Sequence, residues 1–127
     1  MLLECLFLRA CWRLTDGTAK QLSLLGKRKV KRNLEPLKRL DLGGCSRMTG
    51  TGLQSILLAN TSLEELDLRG MSNAIDNDLL TELRSLPALK SLLMYGMDPT
   101  RVTQEAIDRF IEEQPSTMHV AFSFRKN

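Results

Sequence analysis

The chain has 127 residues, 43% of them hydrophobic, with three cysteines, one histidine and a formal net charge of +3. That length holds one domain with a modest core, and no run of about 18 apolar residues offers a transmembrane helix. Five of its 18 basic residues, Lys27, Arg28, Lys29, Lys31 and Arg32, fall within "GKRKVKRN"; without them 13 basic residues face 15 acidic ones, which argues against a duplex-binding surface spread over the fold.

The first element is "LECLFLRAC" from Leu3, whose apolar residues alternate as in a half-buried strand. It lies inside "MLLECLFLRACWRL", which is not a secretory signal because Glu4 interrupts the apolar run and Arg9 closes it. A mitochondrial presequence stays open there, since acidic residues are few before Asp16. The amphipathic stretch "LTDGTAKQLSLL" follows, and then "GKRKVKRN", read as a loop over residues 26–33. A second strand, "LKRLDLGGC", starts at Leu37 and leads to "MTGTGLQSILL". The third, "LEELDLRGM", starts at Leu63 and leads to "IDNDLLTELRSL". The fourth, "LKSLLMYGM", starts at Leu89 and leads to "VTQEAIDRFIEE", where Ala106, Ile107, Phe110 and Ile111 form one apolar face. "MHVAFSF" closes the chain as a degenerate fifth strand with Val120 and Phe122 in the inward positions.

The strand leucines are spaced by 34, 26 and 26 residues, and each copy has the form L-x-x-L-x-L/M-x-x-C/M. Self-similarity at this period is the signature of a solenoid. The pattern resembles the leucine-rich repeat family, in its cysteine-containing subclass; "LDLGGCSRMTGTGL" and "LFLRACWRLTDGTA" carry the likeness best, with Cys11 and Cys45 in the Cys position. Met71 and Met97 replace that Cys in the later copies. The resemblance implies one α/β domain over residues 1–127: a short solenoid of about four repeats and a closing strand, with parallel strands on the concave face and helices on the convex face. The long first spacing places the basic run as an insertion between the first helix and the second strand. The alternatives for that run are a solvated loop, a nuclear import signal, or contact with RNA, anionic lipid or an acidic partner. No aromatic residue lies in it to stack on bases, so nucleic acid ranks last among the partners.

Little in the sequence carries chemistry. A lone histidine, His119, excludes a histidine-based triad or a multi-histidine metal site. "GGCSRMTGTG" lacks the Lys-Ser/Thr ending of a phosphate-binding loop and reads as a strand-to-helix turn. Cys11 and Cys45 read as core thiols, and Cys5 as facing the open side of the strands. An odd cysteine count with no C-x-x-C reads as reduced, intracellular thiols. The expectations are no enzyme, no cofactor, no metal and no small-molecule substrate.

Function is then sought on the surface. Residues flanking the inward leucines align in three columns: Cys5, Arg39, Glu65, Ser91, His119; Phe7, Asp41, Asp67, Leu93, Ala121; and Arg9, Gly43, Arg69, Tyr95, Ser123. Asp41 and Asp67 fall side by side, a destabilising pair unless Arg39 or Arg69 offsets it. Phe7, Arg9, Arg39, Asp41, Glu65, Asp67, Arg69, Leu93 and Tyr95 form a mixed charged and aromatic face that suits a protein partner. Leu3, Leu6, Leu8 and Trp12 are expected to leave an apolar N-terminal edge that a partner covers, unless this segment is a presequence or the chain a shortened form of a longer array.

The resemblance implies two uses. Cysteine-containing repeats often form the substrate-recognition arm of F-box ubiquitin ligase adaptors; no F-box is visible here, so the chain is expected to supply recognition only. "LPALKSLLMYGMDPTRVTQEAIDRFIEEQPS" also resembles the last repeat of mitochondrial proteins related to ATP synthase coupling factor B and respiratory assembly factors. That implies a structural subunit or assembly factor instead. The expected compartment is intracellular, cytoplasmic or nuclear, with a mitochondrial one as the alternative.

Overall fold

A computed structural model describes residues 5–11 and 13–126. Among these residues strands and helices alternate: β1 (Cys5–Phe7), α1 (Asp16–Lys31), β2 (Arg39–Asp41), α2 (Gly50–Ala59), β3 (Glu65–Asp67), α3 (Asn77–Leu83), β4 (Ser91–Met97), α4 (Gln104–Glu113) and β5 (His119–Phe124). The five strands form one sheet in chain order, each parallel to its neighbour. The architecture is mixed α/β, and each helix connects two parallel strands, as parallel pairing requires.

The alternation of each strand decides what it buries. Leu6, Leu40, Leu66, Leu92 and Val120 pair across the sheet in register. Leu40, Leu66 and Leu92 are buried, as are Leu42, Leu68 and Met94 two residues on. Fully burying such a side chain contributes about 1.5–3 kcal/mol. Cys45 and Met71 in the following turns, and Met97 at the end of β4, fill the equivalent position and are also buried. After β2 and β3 the chain turns through a left-handed glycine, Gly44 and Gly70 at φ +80° and +71°; Gly96, at φ +79°, takes the same conformation inside β4, where the ladder to β5 shifts register. Ala10 holds the same place after β1 at φ 61°, where its Cβ is strained.

Each helix then starts on a capping side chain. Thr15, Thr49, Asp76 and Thr103 accept from the backbone N–H of Gly17, Gly52, Leu79 and Ala106, which satisfies one orphan donor at each N-terminus. The helices pack in sequence, α1 on α2, α2 on α3 and α3 on α4. Among the described residues no helix is long and apolar enough to cross a membrane.

One expectation is overturned. The segment read as a basic loop over residues 26–33 is not a loop: α1 continues through Lys31, and only Arg32 and Asn33 turn away. Its residues explain this, because lysine and arginine are good helix formers and basic side chains suit a helix C-terminus. The inward face of α1 runs Ala19, Leu22, Ser23, Gly26, Lys29, so the helical spacing of buried positions carries on through the basic run. Lys29 is buried, its ammonium donating to the Glu35 carbonyl at 2.7 Å. Six residues longer than α2, α1 reaches about 9 Å further along its axis.

At the first strand, Leu6, Leu8, Cys11 and Leu14 are half-buried and pack against the core. Leu3 and Trp12, the other two residues expected at this edge, lie outside the described residues.

Candidate functional site

The register of the sheet fixes the first two columns. Cys5, Arg39, Glu65, Ser91 and His119 are direct neighbours, and so are Phe7, Asp41, Asp67, Leu93 and Ala121. The third column is held by the ladder beyond the strands, where Ala10, Gly44 and Gly70 donate to the carbonyls of Gly43, Arg69 and Tyr95. Between Phe7 and Leu93 these columns line a shallow depression of about 300 Å³, with Arg9, Asp41, Asp67 and Arg69 among its walls. Phe7 is 65% exposed at one side of the face and Tyr95 41% exposed at another.

The floor is a bridged carboxylate pair. Asp41 and Asp67 stand side by side, and Arg9 spans both, with Nε 3.1 Å from Asp41 Oδ2 and Nη2 3.1 Å from Asp67 Oδ2. Arg69 closes on Asp67 from the other side, its Nη2 2.8 Å from Oδ2. Arg39, expected as an offsetting charge, turns instead to Glu65 at 2.9 Å in a largely exposed pair. Such a pair is worth about 0–1 kcal/mol. Arg9 does the bridging because its stem is long enough to cross from the first strand to the third. Its position in the third column was legible; its reach was not.

These aspartates also shape the backbone. Asp41 Oδ1 accepts from Gly43 N at 2.9 Å and Asp67 Oδ1 from Arg69 N at 3.1 Å, each bending the chain out of its strand. Asp98 repeats the device after β4, accepting from the Thr100 N–H and hydroxyl. Burial pushes the Asp67 carboxyl above its ordinary range, the Asp41 carboxylate adds to this, and Arg9 opposes it. The face therefore divides into a fixed floor of Asp41, Asp67, Arg9 and Arg69, and a set of freer side chains: Phe7, Arg39, Glu65, Leu93 and Tyr95.

The thiols differ among themselves. Cys45 is buried, its Sγ donates to the Leu8 carbonyl, and burial pushes its pKa up, so it is a poor nucleophile. Cys11, expected in the core, is only half-buried because its strand is the sheet edge. Cys5 is half-buried in the first column. Among the described residues no cluster of three or more His, Cys, Asp or Glu is placed to hold a metal ion. Of the basic residues singled out, Lys27, Arg28, Lys31 and Arg32 are exposed on α1 or just past it, whereas Lys29 is turned inward. No protein-family model matches the chain, and no curated protein matches it significantly.

Proposed function

We propose that the chain is a short leucine-rich repeat solenoid that works, without catalysis, as a protein-interaction module of the substrate-recognition type within a larger complex. One observation carries the reading: the parallel register lines up side chains that the core does not need, with Phe7, Leu93 and Tyr95 set around a neutralised Arg–Asp floor. Exposed aromatic and arginine side chains over a rigid base are the usual anchors of protein recognition. The neutralised floor lets a partner approach without burying an unpaired charge. The second reading, a structural subunit or assembly factor of a large mitochondrial complex, rests on the likeness of the segment from Leu86 to Ser116.

Purification of the tagged full-length chain from its native cells separates the two. Ubiquitin ligase scaffold subunits in stoichiometric amount would establish the adaptor role. A set of large-assembly subunits would establish the structural one. A chain recovered alone and monodisperse would sink both.

A further inference from the structure

A second surface lies entirely on helices and shares no residue with the strand face. Between α1 and α2 runs a groove of about 440 Å³. Its base is built from small buried residues, Ala19, Ser23 and Gly52, which leave open a space that larger side chains would fill. Leu24 and Leu58 line it, and Leu58 is 65% exposed.

The charge around this groove is mainly basic. Its charged lining residues are Asp16, Lys20 and Lys27. Asp16 is already engaged, accepting from Thr49 N at 2.9 Å and from Thr49 Oγ1 at 2.6 Å. Lys20, Lys27 and Lys31 are exposed, and no described carboxylate lies within ion-pair distance of them. With Leu24 they stand at i, i+4, i+7 and i+11 of α1, one stripe of the helix. The stripe puts an apolar anchor between cations, and Leu58 adds a second anchor from α2.

We propose that the α1–α2 groove docks an acidic amphipathic helix of a protein partner. An apolar stripe on that helix meets Leu24 and Leu58, and its flanking carboxylates meet Lys20, Lys27 and Lys31. The span from Lys20 to Lys31 is about 16 Å, or three helical turns of the incoming segment. A strand has no free sheet edge to join here, and a flat anionic bilayer cannot reach the small-residue base. Nucleic acid finds cations in the groove but no aromatic side chain to stack on. The proposal does not depend on the strand face binding anything.

The test uses the full-length chain and a fluorescein-labelled stapled helical peptide of about 16 residues with a leucine stripe flanked by glutamates. Fluorescence anisotropy should show saturable binding that weakens as salt rises. Leu58→Asp should weaken it about tenfold or more, and so should Lys20→Glu with Lys27→Glu. Leu58 and both lysines are exposed, so these variants should keep the wild-type circular dichroism spectrum and melting temperature. A peptide with lysine in place of every glutamate should not bind. The proposal is overturned by absence of binding, by equal binding of the lysine peptide, or by undiminished affinity in the folded Leu58→Asp variant. It is equally overturned if phosphatidylserine vesicles or polyadenylate bind the chain and the acidic helix does not.

Discussion

Replacing Gly26 with alanine should destabilise the protein, against the usual trend for a glycine inside a helix. In an unconstrained helix interior the exchange gains about 0.5–1 kcal/mol. At Gly26 the added Cβ would overlap the Ala59 carbonyl oxygen and sit 2.6 Å from Asn60 Oδ1 and 2.8 Å from Asn60 Cγ. Neither neighbour yields cheaply. Ala59 offers backbone, and Asn60 is buried with its amide donating to the carbonyls of Leu22 and Ile56 at 3.4 and 2.9 Å. Overpacking of this kind costs about 1–3 kcal/mol, and loosening the Asn60 bonds about 1 kcal/mol more. After the propensity gain the net loss is about 2 kcal/mol. For a chain of this size that lowers Tm by about 8 °C. Thermal melts followed by circular dichroism read it directly. Gly17→Ala in the first turn of the same helix is the control, because its Cβ meets nothing closer than Thr15 Oγ1 at 3.5 Å; it should leave Tm unchanged or raise it. A Gly26→Ala variant that melts higher than wild type would refute the seating of α1 on the end of α2, and with it the helical placement of the basic run.

Three further outcomes follow from the same structure. Gly70→Ala should cost about 1–2 kcal/mol, since its φ of +71° strains any L side chain; a denaturant titration with unchanged midpoint would contradict the turn. Leu66→Asp should abolish cooperative unfolding, because Leu66 lies in the middle strand and is buried, and an unpaired charge there has no partner; a cooperative melt near the wild-type temperature would refute the register. Asp98→Asn should show a pH signature: hydrogen bonds from Thr100 hold the Asp98 carboxyl below its ordinary value of 3.8, and Arg125 and Arg101 add to this. A depressed carboxyl adds stability that is fully present above the unfolded value and is lost as pH falls through the folded one. The melting deficit of Asp98→Asn should therefore be constant near neutrality and close in strong acid. A deficit unchanged across that range would mean the carboxylate's charge is not involved.

Much of the sheet could be read from the chain because its signals are strictly local and recur. The spacing of Leu37, Leu63 and Leu89 sets the register directly, since a one-residue slip would put every leucine on the wrong side. The glycines of "GGC", "RGM" and "YGM" recur where the backbone takes a positive φ, which glycine adopts without strain. The basic run departs from a loop for a definable reason. Eight residues beyond the repeat period suggest a loop, yet nothing in "GKRKVKR" breaks a helix except Gly26, and there the glycine is required by the approach of Ala59 and Asn60. The inward spacing of Gly26 and Lys29 from Leu22 and Ser23 was the available signal. Arg9 as a bridge across two aspartates was not legible, because column position gives a neighbour and not the reach of a long side chain. The groove between α1 and α2 was hidden likewise: nothing in "MTGTGLQSILL" separates the exposed Leu58 from the buried Ile56 and Leu57 until the neighbouring helix is placed, although the Lys20, Leu24, Lys27, Lys31 stripe was visible in the spacing alone.

The central claim, that the free residues of the strand face bind a protein, is tested most directly by one comparison. The partner recovered with the native chain is titrated against wild type and against a Phe7→Ser, Tyr95→Ser double variant, both shown to melt at the same temperature. Loss of the two anchors should weaken binding about tenfold or more. Equal affinity for both would contradict the claim and move the partner to another surface.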